Sequence, residues 1–249
     1  MKRFGIALGC VVLTLSCGQS NTQSVTVFAA SSLQGAFQQL GSEFTKSHPE
    51  YDVTFSFDSS TQLSQQIIDG APADVFASAD TSNMDLLVLN NEVAGNPGVF
   101  TTNHLQILVA LSAVDRVHSL ADLSNRDVVV VLAAPDVPLG RYTVNVLAIA
   151  GVTVSPASYE TSASGVVSKV VSGEADAGIV YSSDVVSAGT AAVGIDIPSD
   201  TNVEVLYPIA VTRRGAQHPG AAEWMKFVLS SRGQDVLHQY GFSSIGDQL

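Results

Sequence analysis

Hydroxyl side chains crowd the points where apolar runs give way to helical patterns, and no lysine stands at the joints themselves. The first such joint is "AASSLQ", with Ser31 and Ser32. The second is "FDSSTQL", with Ser59, Ser60 and Thr61. Two further joints resemble them: "APDVPLGRY", where Pro138 and Leu139 precede a glycine and a helix, and "TSASGVVSKV" at 161–170. Taken singly, a serine before a helix is an ordinary N-cap, its side-chain oxygen accepting an orphan N–H. Two adjacent hydroxyls exceed what one cap needs, and the pattern recurs. Helix N-termini carry free N–H groups and a partial positive charge, so they bind anions without a formal cation. Hydroxyls add donors at adjustable angles. Several such ends converging on one point would suit a small tetrahedral oxyanion.

The elements that must position these joints alternate between strand and helix. "VTVFA" (25–29) reads as a strand. The helix after it carries Leu33, Phe37, Leu40 and Phe44 on one face and stops near Pro49. "YDVTFSF" (51–57) alternates as a half-buried strand. "TQLSQQII" is a short helix closed by Gly70 and Pro72. "DVFASAD" (74–80) is a third strand, and "TSNMDLLVLNNEV" a helix capped by Thr81 or Ser82. "LQILVAL" (105–111) and "VVVVLA" (128–133) are buried strands. "RYTVNVLAIAG" and "SGVVSKVVSGEA" are helices ended by Gly151 and Gly173. "AGIVYSSD" (177–184) and "VEVLYPIAVT" (203–212) contain strands, and a helical pair closes the chain. This alternation predicts an α/β protein with parallel-rich sheets, in which ligands sit where strand C-terminal ends meet helix N-termini.

Composition narrows the function. The 249 residues are 46% hydrophobic, ample for one large core or two lobes, and carry a formal net charge of −12. An acidic chain with few aromatics and no basic run is a poor nucleic-acid binder. The five histidines are dispersed, and neither H-E-x-x-H nor G-x-S-x-G occurs. The carboxylate pairs Asp74 with Asp80 and Glu174 with Asp176 bracket a strand and sit in a turn, a weak basis for a secreted hydrolase. No repeat supports an adhesion module.

The N-terminus reads as an export signal. Lys2 and Arg3 precede an apolar run from Phe4 to Ser16, too short to span a membrane. "LTLSC" at 13–17 resembles a bacterial lipoprotein box, with Thr14 where leucine is usual. This predicts a signal peptide over 1–17, lipidation of Cys17, and a polar tether over 18–24. The only other cysteine, Cys10, lies in the same leader, so the mature chain has no disulfide or cysteine metal site.

"VTVFAASSL", "FSFDSSTQLSQQI", "GAPADVFASAD", "LGRYTVNVL", "GIVYSSDV", "YPIAV" and "YGF" occur in the same order as in the periplasmic molybdate-binding proteins of ABC transporters, which the chain resembles over residues 25–242. "GAPADVFASAD" and "GIVYSSD" are the most specific pieces. The resemblance implies a two-lobed periplasmic-binding-protein fold of type II, with the ligand in the interlobe cleft. Lobe 1 would comprise 25–104 plus 212–249, and lobe 2 105–211, with "LQILVAL" and "YPIAV" as crossover strands.

The resemblance further implies capture of molybdate, and of tungstate, for an ABC importer by neutral donors alone. These would be the hydroxyls of Ser32 and Ser60, the backbone N–H groups of Leu139 and Ala163, and the phenol of Tyr181. Leu139 replaces the usual alanine, and Ala163 stands where a larger apolar residue is frequent. Backbone donors tolerate both changes. No cofactor is implied, and the only metal would be the molybdenum of the bound oxyanion, with no direct protein ligand. The implied partners are the membrane permease and, through the lipid anchor, the extracytoplasmic face of a membrane. The protein is expected to be a monomer and not an enzyme. A sulfate binder of the same fold is the alternative. Asp58 departs from the pattern, and the alternation of 53–58 aims it outward, with Thr54 and Ser56.

Overall fold

The computed structural model describes residues 22–244. In chain order, β1 (Gln23–Ala30) runs through a short 3-10 turn into α1 (Gln34–Ser47). Then come β2 (Tyr51–Asp58), α2 (Ser60–Ile68), β3 (Val75–Ala77), α3 (Thr81–Leu89) and β4 (Gly98–Asn103). After His104 the chain makes β5 (Leu105–Ala110), β6 (Val130–Ala133), α4 (Pro138–Ala150), β7 (Ser158–Glu160), α5 (Ala163–Val171), β8 (Ala177–Tyr181), α6 (Ser182–Ala188) and β9 (Ala192–Asp196). It returns as β10 (Val205–Val211) and ends with α7 (Pro219–Leu229) and α8 (Ser231–Gln239).

Two five-stranded sheets result, ordered β2-β1-β3-β10-β4 and β7-β6-β8-β5-β9. In the first, β1 pairs in parallel with β2 and β3, while β10 is antiparallel to β3 and β4. In the second, β6 is parallel to β7 and β8, and β5 is antiparallel to β8 and β9. This is the expected α/β architecture of two lobes. The first lobe packs Phe37, Phe44 and Phe55 edge-on or tilted around the fully buried Trp224, with ring centroids 5.5–5.7 Å away. Aromatic pairs at such spacing stabilise beyond their buried area. The second lobe's core is aliphatic, built from residues such as Ile107, Val109, Val166, Val170 and Ile179.

Two boundaries differ from expectation. The tether over 18–24 is too long at its end, because Gln23 and Ser24 already pair with Tyr51 and Asp52 in β1. The rest of that tether, the signal peptide and Cys17 lie outside the described residues. Lobe 2 does not extend to 211. Residues 205–211 form β10, a strand inside the first sheet, because Val205, Tyr207, Ile209 and Ala210 are buried between β3 and β4. "YPIAV" is therefore no crossing strand, and "LQILVAL" lies wholly in the second lobe. The chain crosses at His104 and again over 197–204. Strand number and length differ as well. β4, β7 and β9 have no counterpart in the sequence reading, and Ser182–Asp184 open α6 instead of extending β8.

Candidate anion-binding site

Ser32, Ser60, Leu139, Ala163 and Tyr181 line one small pocket between the lobes. All five are more than nine-tenths buried. The pocket admits the centre of a water-sized sphere over only about 10 Å³, room for one compact group. A larger groove of about 450 Å³ between α1 and the helices α5 and α6 shares Ser32 but none of the other four.

At the second joint, capping and ligand-facing roles fall on different serines. Ser59 is the cap of α2, accepting from the N–H of Gln62 at 3.3 Å. Ser60 is the first residue of the helix, and its Oγ accepts the N–H of Ala79 at 2.9 Å. That bond occupies an acceptor position and leaves the hydroxyl proton free. At the first joint neither serine caps, and Ser32 Oγ lies 2.9 Å from Tyr207 Oη.

The second lobe contributes helix starts. Pro138 occupies the first turn of α4, where its missing N–H costs nothing and its fixed φ favours the helix. Leu139 follows, with its amide in the unpaired first turn. Gly140 is required there: a Cβ would fall 1.9 Å from the carbonyl oxygen of Ala134, so only glycine lets α4 start this close to the loop after β6. Ala163 opens α5 behind Ser162, whose hydroxyl caps the helix by accepting from the N–H of Gly165 at 3.3 Å.

Tyr181 ends β8. Its Oη is buried with no hydrogen-bond partner among the described residues. An orphaned buried hydroxyl is costly unless a ligand or water completes it. Burial, reinforced by Tyr207, Tyr142, Asp184 and Asp80, pushes the phenol well above its usual range, so it stays protonated and can donate.

Asp58 does not point away as the alternation implies. It borders the pocket, half-buried, and its Oδ1 accepts the N–H of Ser59 at 2.7 Å. It is the last residue of β2, opposite Ala30 of β1. The chain turns there into α2, and the side chain folds back onto the amide of the next residue.

Two contacts join the lobes beside the pocket. Arg141 of α4 pairs with Asp80, the buried cap of α3, and also donates to the carbonyl of Asp136. Thr61 of α2 donates to that same carbonyl at 3.1 Å. Arg141 and Asp80 neutralise each other, so the pocket's donors stay neutral groups. Sequence reading gave no site role to Arg141 or Tyr207 and weighed Asp80 only as half of a carboxylate pair with Asp74. No group of three or more metal-ligating side chains occurs among the described residues, and no helix among them is long and apolar enough to cross a membrane.

The profile of the bacterial extracellular solute-binding proteins matches residues 25–243. The molybdate-binding protein ModA of Mycobacterium tuberculosis is 36% identical over 259 residues, covering 98% of this chain and 99% of that protein. The solved periplasmic molybdate-binding protein of Azotobacter vinelandii superposes with a TM-score of 0.79 at 20% identity, over 89% of this chain and 99% of that one. The sulfate-binding protein SubI of Mycobacterium tuberculosis superposes equally well, with a TM-score of 0.79 at 16% identity over 90% and 88%.

Proposed function

The chain belongs to the bacterial extracellular solute-binding proteins and, within them, to the molybdate-binding protein family, and on that premise we propose that it captures molybdate between its lobes for the permease of an ABC importer. The observation that carries this reading is the convergence of Ser32, Ser60, Leu139, Ala163 and Tyr181, from both lobes and without a formal cation among them, on one small buried pocket. Hydrogen bonds to a charged partner contribute about 1.5–3 kcal/mol each. Five sum to about 7.5–15 kcal/mol, the upper part of which covers the roughly 8 kcal/mol of micromolar binding together with an association cost of about 4 kcal/mol.

Tungstate shares the charge and shape of molybdate and is the second proposed ligand. The role proposed for the protein is binding and delivery, not catalysis, by a monomer exported and held at the extracytoplasmic face of a membrane by a lipid on Cys17.

The test is calorimetric titration of the soluble chain at pH 7–8 with molybdate, tungstate, sulfate and phosphate. Molybdate and tungstate are expected to bind tightly, sulfate weakly and phosphate least. Phosphate keeps at least one proton near neutral pH, and that proton would face a ring of donors. Strongest binding of sulfate would keep the site and transfer the protein to the sulfate binders, whose fold it equally shares.

A further inference from the structure

Ser32 touches the pocket, but what decides whether its hydroxyl gives or takes a proton lies behind it, at the point where the chain crosses between lobes. Asn103, the last residue of β4, is buried there. The N–H of His104 donates to Asn103 Oδ1 at 2.8 Å. A backbone N–H can only donate, so this bond fixes which end of the amide is oxygen. The Ser182 hydroxyl lies 2.7 Å from the same oxygen and 2.8 Å from the carbonyl oxygen of Gly241, and shares its one proton between these two acceptors. The Nδ2 end must then donate. Its partner is Ser183 Oγ at 2.9 Å, and the Asn103 side chain is also near enough to the Tyr207 phenol to act on it as a donor, an influence that favours negative charge on that oxygen. With that phenol oxygen accepting, its own proton points to Ser32 Oγ, 2.9 Å away. Ser32 then accepts, and its proton is left for the pocket.

We infer that Asn103 and Tyr207 are positioning residues that turn the Ser32 hydroxyl proton toward the pocket, and so set the preference for fully deprotonated oxyanions. The His104 N–H fixes the Asn103 amide, and the directions beyond it follow from each hydroxyl having a single proton to give. Ser60 obeys the same logic through a single bond, since the N–H of Ala79 takes up one of its acceptor positions. The network also reaches the other lobe: Ser182 and Ser183 follow the pocket residue Tyr181 directly, and the Tyr181 and Tyr207 rings meet edge to face with centroids 5.9 Å apart.

The inference rests on the proposed oxyanion function, and its test separates the two. Tyr207→Phe keeps the ring and removes the proton that occupies Ser32. Molybdate and inorganic phosphate are titrated into wild type, Tyr207→Phe, Ser32→Ala and the double variant. Tyr207→Phe should weaken molybdate binding about three- to tenfold. It should narrow the molybdate-to-phosphate ratio, because a released Ser32 can accept the proton of hydrogen phosphate. The ratio is the readout because Asp58 also borders the pocket. In the Ser32→Ala background the same change should cost nothing.

Equal losses in both backgrounds, or an unchanged ratio, would show that Tyr207 acts only through packing and overturn the inference. Asn103→Asp, which has the same shape without the N–H donors, should draw the Tyr207 proton away from Ser32 and reproduce the loss. An unaltered affinity in that variant would likewise overturn it. A wild type that ignores molybdate and titrates with sulfate would overturn the proposed ligand, and the same cycle run with sulfate would still decide the role of Tyr207.

Discussion

At the pocket the first lobe contributes Ser32 and Ser60, whereas the second contributes Leu139, Ala163 and Tyr181, the first two proposed to act through their amides. The lobes also treat buried carboxylates differently. In the first lobe Asp74 accepts the N–H of Thr26 and faces Arg214, and Asp80 has Arg141 from across the cleft. In the second lobe Asp184, equally buried, is held by the N–H of Tyr181 at 3.0 Å, and no cation pairs with it in any ion pair among the described residues. Side-chain donors can be deleted by ordinary substitution and need neighbours to aim them. Amide donors survive almost any substitution and are aimed by the helix itself. A buried acid without a cation makes its lobe sensitive to pH.

The largest expected effect follows from Asp184. Burial, opposed in part by the Tyr181 N–H, pushes its carboxyl up from 3.8 to about 7. Below pH 4 the acid is protonated in both folded and unfolded chains. Between about 4 and 7 the unfolded chain releases a proton that the folded chain keeps, so folding grows less favourable as pH rises, by roughly 4 kcal/mol in all. Carboxylates held low by partners, such as Asp122 under its backbone and Ser119 hydrogen bonds, act in the opposite sense and only in acid. Chemical denaturation between pH 5 and 8 should therefore show declining stability. Asp184→Asn keeps an acceptor for Tyr181 and should flatten the profile. Parallel slopes in wild type and variant would mean that Asp184 ionises freely.

Next in size are substitutions that set the two donor types against each other. Proline at the first helical position satisfies the backbone while removing the N–H. Ala163→Pro should thus abolish molybdate binding, by more than about a hundredfold, with the melting temperature held or raised. Ala163→Ser should change affinity less than about twofold. In the first lobe, Ser32→Ala and Ser60→Ala should each cost about one to two powers of ten. Were Ala163→Pro to bind as wild type, the second lobe's amides would not be ligands.

How much of this was legible in the sequence follows the same division. The apolar run 25–30 and the 4-3-4 spacing of Leu33, Phe37, Leu40 and Phe44 announce β1 and α1, and all four residues are fully buried. Ser32 and Ser60 stand out by type and place. Leu139 and Ala163 do not, because an amide leaves no mark on residue type, and only the family resemblance marks them. β4 escaped because "GVFTTN" reads as polar. Its threonines are nonetheless buried, Thr101 donating to the carbonyl of Ser243 at 2.9 Å, a partner that only the fold supplies. The resemblance casts "YPIAV" as a crossover strand, yet Pro208 stands inside the first sheet. The register shift between Tyr207 and Pro208 is what admits it. Tyr207 went unnoticed as a site residue because 175 positions separate it from Ser32.

The smallest expected effect sharpens the comparison at the residue that fits it least. Asp58 puts a carboxylate from the first lobe at the edge of a pocket proposed for a dianion. Like charges at such range repel, but a half-buried position with solvent nearby raises the effective dielectric, and screening reduces the interaction further. One of its oxygens is already engaged by the N–H of Ser59, a bond that an amide oxygen can replace. Asp58→Asn should therefore keep the local structure and strengthen molybdate binding severalfold, on the order of 1 kcal/mol. The gain should shrink as salt is added, which no packing change would cause. Weaker binding of molybdate together with a selective loss of phosphate would give Asp58 the opposite role. It would then be the acceptor for a ligand proton, and the first lobe, with its two hydroxyl donors, would be the half of the site that reads the protonation state of the anion.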